Sequence, residues 1–368
     1  MTDLPVPRAT PIPAEPATSG SQARPPRDTV PVPLPAGAPI LVTGLPRSGT
    51  SWAGKMLTAG GGAVYVNEPL NPQRPPGRSP GVLNAAVEHR FQYICPDNEG
   101  PWLRAFADTV ALRYRYAAEL RRNRSPGDLA RLVRNASMFT LGRLRRRRAL
   151  LDDPFALFSA GWFAERLGCR VVLLVRDPVA LVASWRRLGW TVHFGELLDQ
   201  PLLVRDQPAV ERVRPLAGTH EPVVKIATLY ALAREVSEAL AGRHPGVRLV
   251  AYEELAADPL AGYRDLYAWC GLPWTATAEQ RIARACTAPP ARRGFPRFGG
   301  AGFTWTGLSR TAYRPMDART AATRPPTGLT PEQIRLVQEI TLPGRIRTGA
   351  RPRDAPPPSL DRLTGRRS

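Results

Sequence analysis

The sequence predicts a three-layer α/β fold with a mostly parallel central sheet flanked by helices. Short apolar runs alternate with helical periods along the middle of the chain, a pattern typical of βαβ units. The runs predicted as strands are 39–43, 63–66, 170–175 and 247–252. With 368 residues, the chain is long enough for one large domain with insertions or for two smaller ones.

The first predicted strand leads into a glycine-containing turn, residues 44–50, and a helix predicted from about Ser51 to Leu57. Such a turn brings backbone N–H groups and the positive end of the helix dipole to one point, which favours a phosphate. The segment reads G-L-P-R-S-G-T-S, so Thr50 stands where ATP-binding loops carry lysine. Arg47 supplies one cation instead. An ordinary turn is the alternative interpretation.

The strand predicted at 170–175 leads into a second motif, Arg176-Asp177-Pro178, and then into a helix. Proline suits the first turn of a helix, and Asp177 suits the N-cap. Arg176 leaves the carboxyl end of the strand and Ser184 lies about two turns into the helix, so both could hold a second phosphate. The alternative is that Arg176 pairs with Asp177 while Ser184 only packs.

Residues 71–150 depart from this alternation and are predicted to form a helical insertion. The amphipathic helix rests on side chains spaced three or four apart: Trp102, Phe106, Val110, Tyr114 and Ala117. The insertion ends in an arginine-rich run, 143–148. We expect this run to be a solvated face, with an anion-attracting rim as the alternative.

Both ends of the chain differ in composition from the middle. Residues 1–37 are rich in Pro, Ala, Ser and Thr without an apolar period, which predicts a disordered leader. Residues 346–368 are similar and contain more arginine, which predicts a flexible tail. The predicted folded domain is therefore 38–345.

The formal net charge is +20, and only Lys55 and Lys225 are lysines, so arginine carries nearly all the positive charge. A nucleic-acid binder normally mixes both cations on one face, so we expect no nucleic-acid partner. Attraction to anionic substrates follows from the charge itself. The four cysteines lack zinc-type spacing and fit a cytoplasmic location, and we expect neither a signal peptide nor a transmembrane segment.

The two phosphate motifs together have a recognisable form. P-R-S-G-T-S-W from Pro46 and V-R-D-P-x(5)-S from Val175 resemble the 5′-phosphosulfate loop and the 3′-phosphate motif of sulfotransferases. These enzymes use 3′-phosphoadenosine 5′-phosphosulfate (PAPS). N-E-P-L from Asn67 and Y-E-E-L-A-A-D-P from Tyr252 resemble further motifs of bacterial and carbohydrate-type members. The four motifs occur in the family order within about residues 38–342.

The resemblance implies a P-loop-type fold, PAPS as co-substrate and no metal. It implies that Arg176 and Ser184 bind the 3′-phosphate, that Trp52 and Tyr252 line the adenine, and that Arg310 lies in a lid. The residues implied to hold the 5′-phosphosulfate are Arg47, Ser48, Gly49, Thr50 and Ser51.

Sulfuryl transfer to a hydroxyl also needs a base. Glu68 directly follows the second predicted strand, on the edge of the sheet where ligands bind, and is the first choice, with Arg47 as its catalytic partner. Asp153 and a histidine such as His193 are the alternatives. Asp152 replaces a lysine found in related bacterial sequences, so Arg47 or an arginine of the 145–148 run would have to compensate.

The resemblance implies a hydroxyl acceptor on a carbohydrate, glycolipid or natural product. Its pocket is expected mainly from residues 71–150 and 190–222. Four aromatic residues could stack on the acceptor, although each could instead belong to the core: Trp102, Phe106, Trp190 and Phe194.

Two other functions fit parts of the sequence. One is a P-loop kinase or NTPase with Asp177 as the magnesium-binding aspartate, which the threonine at position 50 disfavours. The other is an arginine-rich binder of nucleic acid or anionic surfaces that retains a degenerate phosphate loop. Adenosine 3′,5′-bisphosphate should stabilise a PAPS-dependent enzyme without divalent metal.

Overall fold

The computed structural model describes residues 37–72, 86–122, 125–287 and 317–342. Five strands form one sheet in the order β2-β3-β1-β4-β5, and every pair is parallel. The strands are β1 Ile40–Gly44, β2 Ala63–Asn67, β3 Arg148–Asp152, β4 Arg170–Val175 and β5 Val247–Ala251. The predicted α/β fold with a parallel central sheet is confirmed.

Helices cover both faces of the sheet. Two 3₁₀ segments, Pro154–Ser159 and Pro208–Leu216, lie between them. The α-helices are α1 Thr50–Leu57, α2 Gly100–Val110, α3 Tyr116–Arg122, α4 Pro126–Leu144, α5 Ala160–Leu167, α6 Pro178–Arg187, α7 Gly195–Leu198, α8 Pro201–Asp206, α9 Pro222–Arg243, α10 Tyr252–Ala257, α11 Pro259–Cys270, α12 Ala276–Cys286, α13 Ala318–Thr323 and α14 Pro331–Thr341.

The central strands are buried on both faces, as expected for a parallel sheet. Leu41 and Leu173 point into one core, which α5, α6 and α9 cover. Val42 and Val172 point into the other, which α1 and α11 cover. This burial explains why β1 and β4 read as continuous apolar runs.

Strand β3 is the element that sequence analysis missed. It pairs with β1 on one side and β2 on the other, so it lies inside the sheet. Only three apolar residues, Ala149 to Leu151, separate the arginine run from two aspartates, which is too short a run to stand out as a strand. The expected end of the insertion at residue 150 therefore falls inside β3.

The arginine run is split between two environments. Arg143, Arg145 and Arg146 are exposed, as expected for a solvated face. Arg148 instead begins β3, is buried, and donates hydrogen bonds to the carbonyl oxygens of Ala38 and Cys270. The solvated-face interpretation is wrong for this last arginine, because Arg148 belongs to a strand inside the sheet.

The amphipathic helix predicted through Ala117 is two helices. The chain turns between α2 and α3 at Leu112, which has φ 52°. Trp102 and Phe106 are buried in the core, and so is Phe194, which supports the core interpretation of these aromatics. Ala117 lies on the exposed side of α3.

The leader at 1–36, the tail at 346–368 and Arg310 lie outside the described residues, so the predictions for them stay predictions. All four cysteines are buried and free. In the part of the chain that the structure describes, no helix combines the length and apolarity needed to cross a bilayer.

Candidate active site

The carboxyl edge of the sheet opens into a cleft of about 790 Å³. All five strands deliver residues to it: the loop after β1, Glu68 after β2, Pro154 after β3, Arg176 after β4 and Tyr252 after β5. Ligands of open parallel sheets bind at this edge. The predicted site residues that line the cleft together are Arg47, Gly49, Thr50, Ser51, Trp52, Glu68, Arg176, Ser184 and Tyr252.

The loop between β1 and α1 is fixed by its backbone. Arg47 has φ 78° and Gly49 has φ 104°. A Cβ on Gly49 would lie 2.7 Å from Cδ2 of Tyr252, so only glycine fits without a shift. No side chain caps the start of α1, which leaves its first N–H groups to face the cleft.

Ser48 is the loop residue whose side chain the structure does not bring into the cleft. It is only 1% exposed, and its backbone N–H donates to the carbonyl oxygen of Leu45 at 3.0 Å. Its side chain lines a small space of about 10 Å³ behind the loop, together with Arg176 and Arg234. The turn that presents Arg47 and Gly49 to the cleft thus points Ser48 inward.

The two arginines predicted to bind phosphate are interlocked. The Arg176 guanidinium donates to the carbonyl oxygen of Arg47 at 3.1 Å and lies over the Tyr252 ring, 4.8 Å from its centroid. Arg47 Nε donates to Ser184 Oγ at 3.3 Å. The pKa of Arg47 is lowered by burial and then by the nearby charges of Arg176 and Arg187. An anion between these side chains would relieve that repulsion.

Asp177 serves the helix rather than the cleft. Its Oδ1 accepts from the backbone N–H of Ala180 at 2.8 Å, the predicted N-cap of α6. Among the described residues, no salt bridge joins it to Arg176, and it does not line the cleft. The magnesium role that the kinase alternative gives to Asp177 therefore has no geometric support.

Glu68 lies in the cleft in an unusual backbone conformation. Its φ is 47°, and its backbone N–H donates to the carbonyl oxygen of Asp152 at 2.7 Å. One carboxylate oxygen accepts from Asn71 Nδ2 at 2.8 Å. A left-handed non-glycine residue costs on the order of 1–3 kcal/mol, and such residues cluster at functional sites. The structure supports keeping Glu68 as the candidate base.

Asp153, the alternative base, is held inside the protein. It is 1% exposed and accepts from the backbone N–H groups of Leu70 at 2.6 Å and Phe155 at 3.0 Å. Burial raises its pKa well above the ordinary value. It does not line the cleft, so its position fits a brace for the segment that follows Glu68. His193 does line the cleft.

Asp152 lies beneath the phosphate loop. The Tyr65 hydroxyl donates to it, and the hydroxyls of Ser51 and Thr50 lie beside it and favour its charged form. Burial is the larger effect and raises the pKa of Asp152 to about 6. The charge of Lys55 is nearby, because Asp152 raises the pKa of that lysine against the lowering effect of burial.

Several cleft residues were not predicted. Arg187 follows Ser184 by three residues on α6, so helical spacing could have identified it. Arg324 reaches the cleft from the segment after α13, and nothing in its local sequence marks it. The other unpredicted polar residues of the lining are Asn71, Arg90, Thr191 and Thr327.

A family model described as "Sulfotransferase family" matches residues 39–276. The chain belongs to the sulfotransferase family. The matched region contains all five strands and all nine predicted residues that line the cleft. The family that the motifs predicted is therefore confirmed.

The relatives of this sulfotransferase include carbohydrate sulfotransferases from Homo sapiens. Carbohydrate sulfotransferase 6 is 33% identical over 149 residues, which cover 39% of this chain and 33% of the relative. Carbohydrate sulfotransferase 3 is 26% identical over 289 residues, covering 67% of this chain and 56% of the relative. The chain thus spans between a third and just over half of the length of these relatives.

Solved structures with some likeness are also sulfotransferases. The sulfotransferase domain from the curacin biosynthetic pathway is 14% identical, with a TM-score of 0.39 over 83% of this chain and 98% of that domain. A mouse sulfotransferase complexed with PAP is 13% identical, with a TM-score of 0.35 over 82% of each chain.

Proposed function

We propose that this sulfotransferase transfers the sulfuryl group of PAPS to a hydroxyl of a carbohydrate, glycolipid or natural product, with Glu68 as general base. The observation that carries the proposal is the linked set of Arg47, Arg176 and Ser184 beside the uncapped start of α1. Two anion-binding devices meet there, which suits a ligand with phosphate groups at both of its ends.

The residues fit such a ligand on two counts. Glycine at position 49 lets the Tyr252 ring lie against the phosphate loop, which places the ring proposed to line the adenine next to the proposed phosphate site. The Nε of Arg176 is buried without a hydrogen-bond partner among the described residues, although the same guanidinium lines the cleft. Buried polar groups normally have hydrogen-bond partners, so a bound anion would supply the acceptor that this Nε lacks.

Each residue then has a role within the cleft. Arg176 and Ser184 would hold the 3′-phosphate, and the backbone N–H groups of α1 with Arg47 would hold the 5′-phosphosulfate. Trp52 and Tyr252 contact each other edge to face with ring centroids 5.4 Å apart, and would line the adenine. Arg310 remains a proposed ligand outside the described residues.

PAPS supplies an activated sulfuryl group. The protein has to hold the acceptor hydroxyl in line and remove its proton. Glu68 would accept that proton, and Asn71 keeps its carboxylate oriented. Arg47 would stabilise the negative charge that develops on the transferred group.

The triphosphate alternative is weakened by two residues. Thr50 takes the lysine position of an ATP-binding loop, and Asp152 places a carboxyl group beneath the same loop. Both changes lower the positive charge where the β- and γ-phosphates would bind.

A carbohydrate acceptor is supported by the lining of the cleft. Trp190 and Phe155 line it together with Asn71, His193 and Arg90, a mixture of flat apolar and polar groups. Sugars bind to such surfaces through stacking on aromatic rings and hydrogen bonds to their hydroxyls. The names of the human relatives support the same acceptor class.

The test is transfer of label from ³⁵S-PAPS to a panel of hexose- and N-acetylhexosamine-containing oligosaccharides in EDTA, with Glu68→Gln as the control. We expect labelled product with the natural chain and very little with the variant. Phosphate release from ATP with magnesium, without binding of adenosine 3′,5′-bisphosphate, would contradict the proposal.

A further inference from the structure

Helices α3 and α4 expose an apolar surface to solvent. Seven large hydrophobic side chains are exposed in the described residues, and six of them lie on these two helices or at their ends. They are Tyr116, Leu120, Leu129, Val133, Leu141 and Leu144. Single exposed apolar residues are ordinary, but a contiguous group marks an interaction site.

On α4 three of the four residues form a stripe. At 3.6 residues per turn, Leu129, Val133 and Leu144 fall within a sector of about 60°. Val133 is 62% exposed and Leu144 is 74% exposed. The stripe thus points away from the protein, opposite to the usual arrangement of a surface helix.

The opposite face of α4 is already packed. Phe139 is fully buried in the core. A Cβ on Gly142 would lie 2.4 Å from Val64 Cγ2, so this glycine lets α4 pack closely on the edge strand β2. Rotation of α4 to bury the exposed stripe would therefore expose the residues that now pack against the protein.

The apolar residues of α3 continue the same surface. The hydroxyl of Tyr116 hydrogen-bonds with Thr140, which lies within the α4 stripe at helical spacing. Leu120 follows Tyr116 by one helical turn and is 58% exposed. We call the surface formed by Tyr116, Leu120, Leu129, Val133, Leu141 and Leu144 the α3–α4 patch.

Arginines border the patch. Arg143 and Arg134 lie on opposite sides of the α4 stripe, and both are exposed. Arg145 and Arg146 follow directly and are exposed as well. Residues 113–147 contain eleven arginines and two acidic residues, and one of these, Glu119, is buried.

We propose that the α3–α4 patch binds the surface of an anionic lipid membrane, with its apolar side chains in the acyl boundary and its arginines among the headgroups. An apolar stripe flanked by cations is the pattern of helices that lie in a membrane interface. Negatively charged headgroups complement the charges of Arg134, Arg143, Arg145 and Arg146.

A second copy of the chain is a poorer occupant. Two patches brought face to face would place their arginine borders against each other, and like charges in an interface are unfavourable. None of the salt bridges among the described residues involves Arg134, Arg143, Arg145 or Arg146, so these charges remain available.

The patch is separate from the cleft. The chain passes from the end of α4 through residues 145–147 into the start of β3, so this end of α4 lies at the amino edge of the sheet. The cleft lies at the carboxyl edge. The inference is therefore independent of the proposed chemistry, and substitutions in the patch should leave bisphosphate affinity unchanged.

The test is co-sedimentation of the full chain with phosphatidylcholine vesicles with or without phosphatidylglycerol. We expect binding only to the vesicles that contain phosphatidylglycerol. The double variant Val133→Gln/Leu144→Gln should weaken it at least ~10-fold. Arg145→Gln/Arg146→Gln should weaken it by about 25-fold, from about fivefold for each arginine.

Leu342→Gln is the matched control, because Leu342 is 54% exposed and lies outside the patch. It should bind vesicles like the natural chain. Thermal melting and bisphosphate titration of each variant verify its fold. Three results would overturn the proposal: no binding to either vesicle, undiminished binding by the Val133→Gln/Leu144→Gln variant, or self-association that this variant abolishes.

Discussion

The two halves of the cleft are built differently. The half that we propose binds the nucleotide consists of the loop after β1, Arg176, Ser184 on α6 and Tyr252, and its side chains contact one another: Arg176 with Arg47 and Tyr252, and Arg47 with Ser184. The half that we propose binds the acceptor contains Glu68, Asn71, Trp190 and His193, which lie on connections after β2 and α6.

This difference matches the different requirements of phosphate binding and acceptor binding. Phosphate binding depends on backbone N–H groups and fixed cations, so it needs the rigid junctions of strands and helices. Acceptor binding depends on side chains that differ with the acceptor, and loops carry them. Asp152 lies between the halves, because its carbonyl accepts from Glu68 and its carboxylate lies beside Thr50 and Ser51.

The largest expected effect belongs to the acceptor half. Glu68→Gln keeps the size of the side chain and its hydrogen bonding but removes the proton acceptor. The single-turnover rate should fall roughly 100- to 10,000-fold, while bisphosphate affinity and melting temperature stay close to those of the natural chain.

Asp153→Asn is the matched control. Asp153 accepts two backbone N–H groups and lies outside the cleft, so its substitution should lower the melting temperature more than the single-turnover rate. If Asp153→Asn lowers the single-turnover rate and Glu68→Gln does not, Asp153 is the base. If neither variant lowers the single-turnover rate, His193 becomes the candidate base.

The next largest effect tests the nucleotide half. Arg176→Ala removes a charge-assisted contact, on the order of 1.5–3 kcal/mol, so the Michaelis constant for PAPS should rise about 10- to 150-fold. Ser184→Ala should act in the same direction with a smaller rise. Steady-state kinetics with each substrate varied in turn will give the Michaelis constants for PAPS and for the acceptor. Equal changes in the two constants would contradict the assignment of these residues to the nucleotide half.

Asp152 gives a prediction about pH. A carboxyl group whose pKa is raised by folding contributes stability that is present below its unfolded value near 3.8 and is lost as the pH rises through about 6. Asp152→Asn should therefore change the free energy of unfolding more favourably at pH 8 than at pH 4, by about 1–3 kcal/mol. Denaturant unfolding at the two pH values measures this, and an equal change at both would contradict it.

The smallest effect concerns the orientation of Glu68. Asn71→Ala removes the hydrogen bond to its carboxylate, an interaction of about 1 kcal/mol, so kcat should fall roughly fivefold. The Michaelis constant for PAPS should not change. A rise in that constant would indicate that Asn71 supports the nucleotide half instead.

The proposed nucleotide half has clearer local sequence signals than the proposed acceptor half. The loop after β1 and the cap at Asp177 have local signals, because glycine spacing and capping chemistry act within a few residues. Strand β3 has no such signal, because charged residues flank its short apolar run on both sides. The strand was therefore not predicted, although it places Asp152 beneath the loop.

Other features depend on tertiary contacts. The inward turn of Ser48 follows from the packing of the whole loop, and the approach of Arg324 follows from the placement of α13. The break between α2 and α3 lies at Leu112, which has a left-handed backbone conformation. Leucine rarely adopts this conformation, so its presence does not predict a turn. None of these is encoded by a nearby pattern.

We propose that the cleft holds PAPS through two separate phosphate sites. Calorimetric titration of the full chain with adenosine 3′,5′-bisphosphate in EDTA tests this most directly. We expect saturable binding that Arg176→Ala weakens about 10- to 150-fold, and much weaker binding of adenosine 5′-monophosphate, which lacks the 3′-phosphate. Equal affinity for the two nucleotides, or binding only of ATP with magnesium, would contradict it.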